Sequence, residues 1–155
     1  MVVLLRPART RRDMTLENIK SDFSVLDDWE DRYRYVIELG RELPELPQAL
    51  RTEATKVRGC ASQVWLVTKA LEPSKAGKSK IAMQGASDAH IVQGLIAVLF
   101  SVYQGKTADE ILAIDAQKIF AELGLKDHLS QQRSNGLASM VARIQADARS
   151  VSANV

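Results

Sequence analysis

The stretch from Ser87 to Gln104 constrains this chain more than any other. Ser87 and Asp88 offer capping side chains, and Ile91, Val92, Leu95, Ile96, Val98, Leu99 and Val102 then recur at spacings that cover more than one helical face. A helix apolar on most of its circumference has to be buried, so the other elements are expected to pack around it. Gln93, Gly94 and Ser101 interrupt the run, and it falls short of a membrane span. Gly105 is its expected stop.

The flanking segments divide by period. Thr15 is placed to cap a helix carrying Leu16, Ile19 and Phe23, and Asp27 or Asp28 a second whose face is Trp29, Tyr33, Val36 and Ile37, with Gly40 as its stop. Pro44 and Pro47 enforce a non-helical connector. From Lys56 the pattern turns to strands: Gln63 to Leu71 is rich in β-branched and aromatic residues, and Lys80 to Gln84 alternates. Pro73 to Gly77 reads as the turn between them, with Lys75, Lys78 and Lys80 as a solvated edge. Thr107 to Glu110 has the capping-box form, Asp115 opens a further turn or helix through Phe120 and Leu123, and Gly124 closes it. Ser134 is expected to start a last helix, with Leu137, Met140, Val141, Ile144 and Ala148 inward and Arg143, Asp147 and Arg149 outward. Strands grouped between helices predict an α+β fold, a small antiparallel sheet of about three strands packed against several helices.

At 155 residues the chain suits one core. We read residues 1–13 as a disordered basic extension, 14–150 as a single domain and 151–155 as a disordered tail. Arg6, Arg9, Arg11 and Arg12 carry the positive balance, and without them the remainder is slightly acidic. With few aromatics as well, the expected fold is no platform for nucleic acid. The apolar start is too short for a secretory signal and its charges follow it instead of preceding it. One free thiol without a disulfide partner suits a reducing compartment, so a cytoplasmic protein is expected.

Cys60 is the only cysteine. It therefore forms no disulfide within its own chain, and a Cys-cluster metal site built by one subunit is excluded, since His90 and His128 lie far off in sequence. A lone cysteine is most often an inert small hydrophobe. The setting here points the other way: Arg58-Gly59 precedes it and Ala61-Ser62-Gln63 follows, which reads as a tight turn before a strand and favours a thiol at a loop tip.

At these residues the sequence resembles the SufE family of sulfur-acceptor proteins. The resemblance rests on Trp29-Glu30-Asp31-Arg32-Tyr33, Ile37-Glu38-Leu39-Gly40, Leu43-Pro44, and Val57-Arg58-Gly59-Cys60-Ala61-Ser62-Gln63-Val64-Trp65-Leu66. It continues with Gly85-Ala86-Ser87-Asp88-Ala89, Gly94-Leu95-Ile96-Ala97 and Arg133-Ser134-Asn135-Gly136-Leu137. These blocks run in order from about Thr15 to Ala148. The resemblance implies a SufE/IscU-like fold. It also implies that Cys60 receives persulfide sulfur from a cysteine desulfurase of the SufS or CsdA type and passes it to an iron-sulfur scaffold, stimulating the desulfurase.

By the same resemblance Arg58, Gly59, Ala61, Ser62 and Gln63 form the supporting loop, while Asp88 and Arg133 belong to the partner surface. Both also have ordinary readings, Asp88 as a helix cap and Arg133 as a charge just ahead of a helix. No cofactor is expected in this chain, pyridoxal phosphate belonging to the desulfurase, and the expected state is a monomer or weak homodimer. Sulfur transfer needs a thiolate at the moment of attack, and a persulfide needs shelter. Both demands are met if Cys60 rests in an apolar recess, made by the sheet and the long helix, and swings out on docking. The competing reading is a single-cysteine redox-sensing or peroxidatic thiol.

Overall fold

In the computed structural model, which describes residues 15–73 and 78–153, the apolar run folds as a helix from His90 to Tyr103. Ile91, Leu95, Ile96, Val98, Leu99 and Val102 are buried on it, as their spacing demands. Among the described residues the elements run α1 (Leu16–Ser24), α2 (Trp29–Arg41), β1 (Val64–Ala70), β2 (Ile81–Ser87), α3 (His90–Tyr103), α4 (Ala108–Ala113), α5 (Ala116–Glu122) and α6 (Gln131–Ala153). The fold is α+β. The basic extension, most of the turn after Pro73 and the last two residues lie outside the described residues.

Local chemistry explains most boundaries. Thr15 caps α1 by accepting from the Asn18 N–H, and Asp28 caps α2 by accepting from Glu30. Thr107 and Glu110 form the reciprocal capping box of α4, and Asp115 caps α5 through the Lys118 N–H. Gly105 and Gly124 end α3 and α5 with φ of 73° and 77°, values that a residue with a Cβ rarely adopts.

The sheet has two strands where about three were expected. β1 and β2 pair antiparallel from Val64↔Ser87 to Ala70↔Ile81. The third strand shrinks to one bridge, Lys56↔Trp65, with bonds from the Val57 N–H to the Val64 carbonyl (2.8 Å) and from the Leu66 N–H to the Thr55 carbonyl (2.9 Å). A turn closed by Thr52 and Thr55 on one side and the Gly59 turn on the other leave too little extended chain for a longer ladder.

Gly40 does not stop α2. It sits inside the helix where α2 crosses α3, and a Cβ there would lie 2.6 Å from the Gly94 nitrogen, while one on Gly94 would lie 2.2 Å from the Val36 carbonyl oxygen. Both glycines serve close approach. That crossing turns Val36, Leu39 and Gly40 inward and leaves Tyr33, expected on the apolar face, 38% exposed.

α6 begins at Gln131, not Ser134, because the Ser130 hydroxyl accepts from the Arg133 N–H at 3.2 Å and the Ser130 carbonyl from the Ser134 N–H. It continues through Val151 and Ser152, where a tail was expected, with Val151 packed on the core and the Ser152 hydroxyl bonded to Asp109. Arg143 and Asp147 do not point outward. They are half-buried against β1 and the segment before the Cys60 loop.

Candidate functional site

The bond from the Val57 N–H to the Val64 carbonyl closes a short hairpin whose loop runs from Arg58 to Gln63. Gly59 takes φ of 91°, and its missing side chain leaves room for α6: a Cβ there would lie 2.4 Å from Ser139 Oγ. This turn lowers Cys60 toward α6. The half-buried thiol donates to the Gly136 carbonyl at 3.7 Å, and the sulfur rests beside that residue on α6.

Around the thiol lies a cleft of about 270 Å³. Cys60, Ala61 and Ser62 form one wall, Val92 and Leu95 of α3 another, and Ser130, Gln132, Arg133, Gly136 and Met140 a third. The recess is thus made by α3 and α6, where the sheet and α3 were expected. Burial pushes the Cys60 thiol above its ordinary pKa. Its resting form is the protonated thiol.

The other sequence-nominated residues divide. Arg133 lines the cleft and donates to the Tyr33 hydroxyl at 3.3 Å, a link from α6 to α2. Asp88 is not the cap of α3, whose N-cap is Ala89 without a side-chain bond. Its carboxylate instead accepts from the Gln63 N–H at 3.0 Å, while the Asp88 N–H donates to the Gln63 carbonyl at 3.3 Å. That pair ties the far end of the loop to the chain entering α3. Arg58 is exposed and lies outside the cleft wall.

Sequence reasoning missed Gly136 and Met140 as cleft residues and Tyr33 as the partner of Arg133. Gly136 and Met140 follow Arg133 at helical spacing, a signal available once α6 is placed. Neither histidine lines the cleft. His128 stacks on Trp29 with centroids 3.7 Å apart, and His90 borders a separate cleft with Arg41 and Arg51. Cys60 therefore has no imidazole base among the cleft residues, which argues against a cysteine hydrolase. Among the described residues no group of three or more His, Cys, Asp or Glu side chains is arranged to hold a metal ion, and no helix is long and apolar enough to cross a membrane.

Comparison with known proteins places the chain in a family. The model of the SufE family, described as the Fe-S metabolism associated domain, matches residues 17–148. The chain belongs to the SufE family. It is 54% identical over 134 residues to an uncharacterized SufE-like protein of Rhizobium meliloti, covering 86% of this chain and 94% of that one. An uncharacterized SufE-like protein of Rhizobium etli is 55% identical over 135 residues, 87% and 90% of the two chains. The fold is shared with the solution structure of a hypothetical protein from Thermus thermophilus, at a TM-score of 0.68 and 20% identity over 88% of this chain and 94% of that one. Membership in the SufE family assigns the chain a sulfur-transfer role in iron-sulfur metabolism and implies a cysteine desulfurase as partner.

Proposed function

We propose that Cys60 accepts sulfur as a persulfide from a cysteine desulfurase and delivers it to an iron-sulfur scaffold, stimulating the desulfurase as it unloads it. The observation that carries this reading is the placement of the one thiol of the chain at a hairpin tip, seated in a cleft with room beside the sulfur. Val92, Leu95 and Met140 supply apolar walls that shelter a persulfide, and Arg133 supplies the positive charge at the rim.

The transfer balances without an external oxidant. The Cys60 thiolate attacks the terminal sulfur of the donor persulfide, the new S–S bond forms as the donor's S–S bond breaks, and the donor cysteine leaves as a thiolate. Because burial keeps the resting thiol protonated, the proton must leave as the loop opens, and a positively charged donor site favours that. With no second cysteine to displace the persulfide internally, the sulfur passes on to another protein. Pyridoxal phosphate stays with the desulfurase, of SufS or CsdA type, and this chain works without a cofactor, as a cytoplasmic monomer or weak homodimer.

Incubation with a cysteine desulfurase and cysteine, followed by mass spectrometry, tests the proposal. The expected result is one added sulfur atom on Cys60, absent from Cys60→Ser. No gain with any cognate desulfurase sinks it. A peroxidatic thiol requires a depressed pKa, the reverse of the shift at Cys60, and fast peroxide consumption without a sulfur donor is the result that restores that reading.

A further inference from the structure

Gly136, Ser139, Arg143 and Asp147 follow one another on α6 at steps of three and four residues, so they form one stripe along the helix. Each meets a different part of the Cys60 hairpin or its neighbouring strand. Gly136 receives the thiol and Ser139 packs on Gly59. Arg143 reaches the stem: Nη2 donates to the Ala54 carbonyl at 2.7 Å and Nη1 to the Lys56 carbonyl at 3.2 Å. Its Nε donates to Asp147 Oδ1 at 3.3 Å, and Asp147 Oδ2 accepts from the Thr68 hydroxyl of β1 at 2.9 Å.

Strand geometry explains why a guanidinium belongs there. The Thr55 carbonyl and the Val57 N–H bond to β1, so the alternate carbonyls of Ala54 and Lys56 face away from the sheet as edge acceptors. The planar fork of an arginine spans two such oxygens, which an ammonium cannot do. Asp147, pinned by Thr68, holds the fork at that edge. The stem is thereby fastened by charge-assisted bonds and the far end of the loop by the Asp88–Gln63 pair, whereas the Cys60 thiol at the tip donates only a weak S–H···O bond.

We propose that Arg143 is a positioning residue: by clasping the Ala54 and Lys56 carbonyls it fixes the stem of the hairpin on α6 and sets the retracted pose of Cys60. The stem is the fixed point and Gly59 the hinge about which the tip swings. Its consequence for sulfur transfer rests on the carrier reading above, but the pose itself does not.

Iodoacetamide labelling of Cys60, read by mass spectrometry at fixed pH beside a thermal melt, tests it. Arg143→Ala is expected to label about three- to tenfold faster than the natural protein, the scale for losing charge-assisted bonds from a partly solvated site. Arg143→Lys, able to reach one carbonyl, is expected in between, at about twofold. An Arg143→Ala protein that melts lower but labels Cys60 at the natural rate overturns the proposal, since Arg143 then only stabilises the fold. Should Arg143→Ala not fold, Arg143→Lys decides by the same comparison: faster labelling supports the clasp and the natural rate overturns it. Sulfur loading by a desulfurase is scored in parallel. If the natural protein takes up no sulfur, the carrier reading fails while the labelling contrast still decides the role of Arg143.

Discussion

The thiol of Cys60 donates to the carbonyl oxygen of Gly136 across 3.7 Å and 76 residues of sequence. A thiol so placed keeps its proton better than one in water, because burial in the cleft penalises the thiolate. The contact is weak enough to break on docking and specific enough to define a resting position.

Labelling of Cys60 in the free protein should therefore rise with pH to a midpoint above the ordinary thiol value of about 8.5. The folded pKa is raised, so the proton-linked stability is complete below the unfolded value and is lost as pH rises through the folded one. A rate profile with its midpoint at or below that of a free cysteine peptide contradicts the buried resting thiol.

Gly59→Ala is expected to cost about 2 kcal/mol, combining a left-handed backbone with a clash. The clash is with Ser139 Oγ, 2.4 Å from the new methyl. Denaturant unfolding of Gly59→Ala, Ser139→Ala and the double variant separates the two causes. The double variant should recover the steric part alone, and strictly additive losses would show that Ser139 is not the obstacle.

Asp88→Ala removes the acceptor for the Gln63 N–H. Since Asp88 is exposed, water replaces it and the stability loss should be about 1 kcal/mol or less. The larger effect should fall on the loop: faster hydrogen exchange at the Gln63 amide and faster labelling of Cys60, with Asp88→Asn close to the natural protein because it keeps an oxygen. Unchanged exchange at Gln63 in Asp88→Ala counts against the tether.

Tyr103 is fully buried, and among the described residues its hydroxyl has no hydrogen-bond partner. Burial, aided by the charge of Asp115, pushes its pKa up from 10.0 to about 12. The raised value makes its contribution complete below pH 10.0 and lost as pH climbs toward about 12. Tyr103→Phe should flatten the alkaline fall in stability across that window and gain up to about 1 kcal/mol at neutral pH by deleting an unpaired group. An equally steep alkaline fall in Tyr103→Phe assigns the pH dependence elsewhere.

Features set by neighbours in sequence are legible without the fold. Thr107 with Glu110, Asp115, Gly105 and Gly124 end or begin helices through bonds and dihedrals spanning a few residues, and the turn at Gly59 belongs to the same class. Gly40 reads as a stop because a stop and a close helix crossing leave the same letter, and only the position of Gly94 separates them. Arg143 and Asp147 read as solvent-facing because amphipathic patterning assigns charge to water. An unpaired strand edge also attracts a guanidinium, and the edge at Ala54 and Lys56 lies 87 to 89 residues from Arg143.

From the sequence alone it followed that α3 must be buried and that the single sulfur could neither bridge within the chain nor join a cysteine cluster. The ordered blocks from Trp29 to Leu137 carried the family. Tertiary structure alone decided what surrounds the sulfur: the Gly136 carbonyl it donates to, and a cleft that Val92, Leu95, Met140 and Arg133 line. Helical and strand periods report which side of an element faces inward, because that depends on a repeat of a few residues. They carry no information on which two inward faces meet, and Cys60 owes its seat to such a meeting between a hairpin tip and α6.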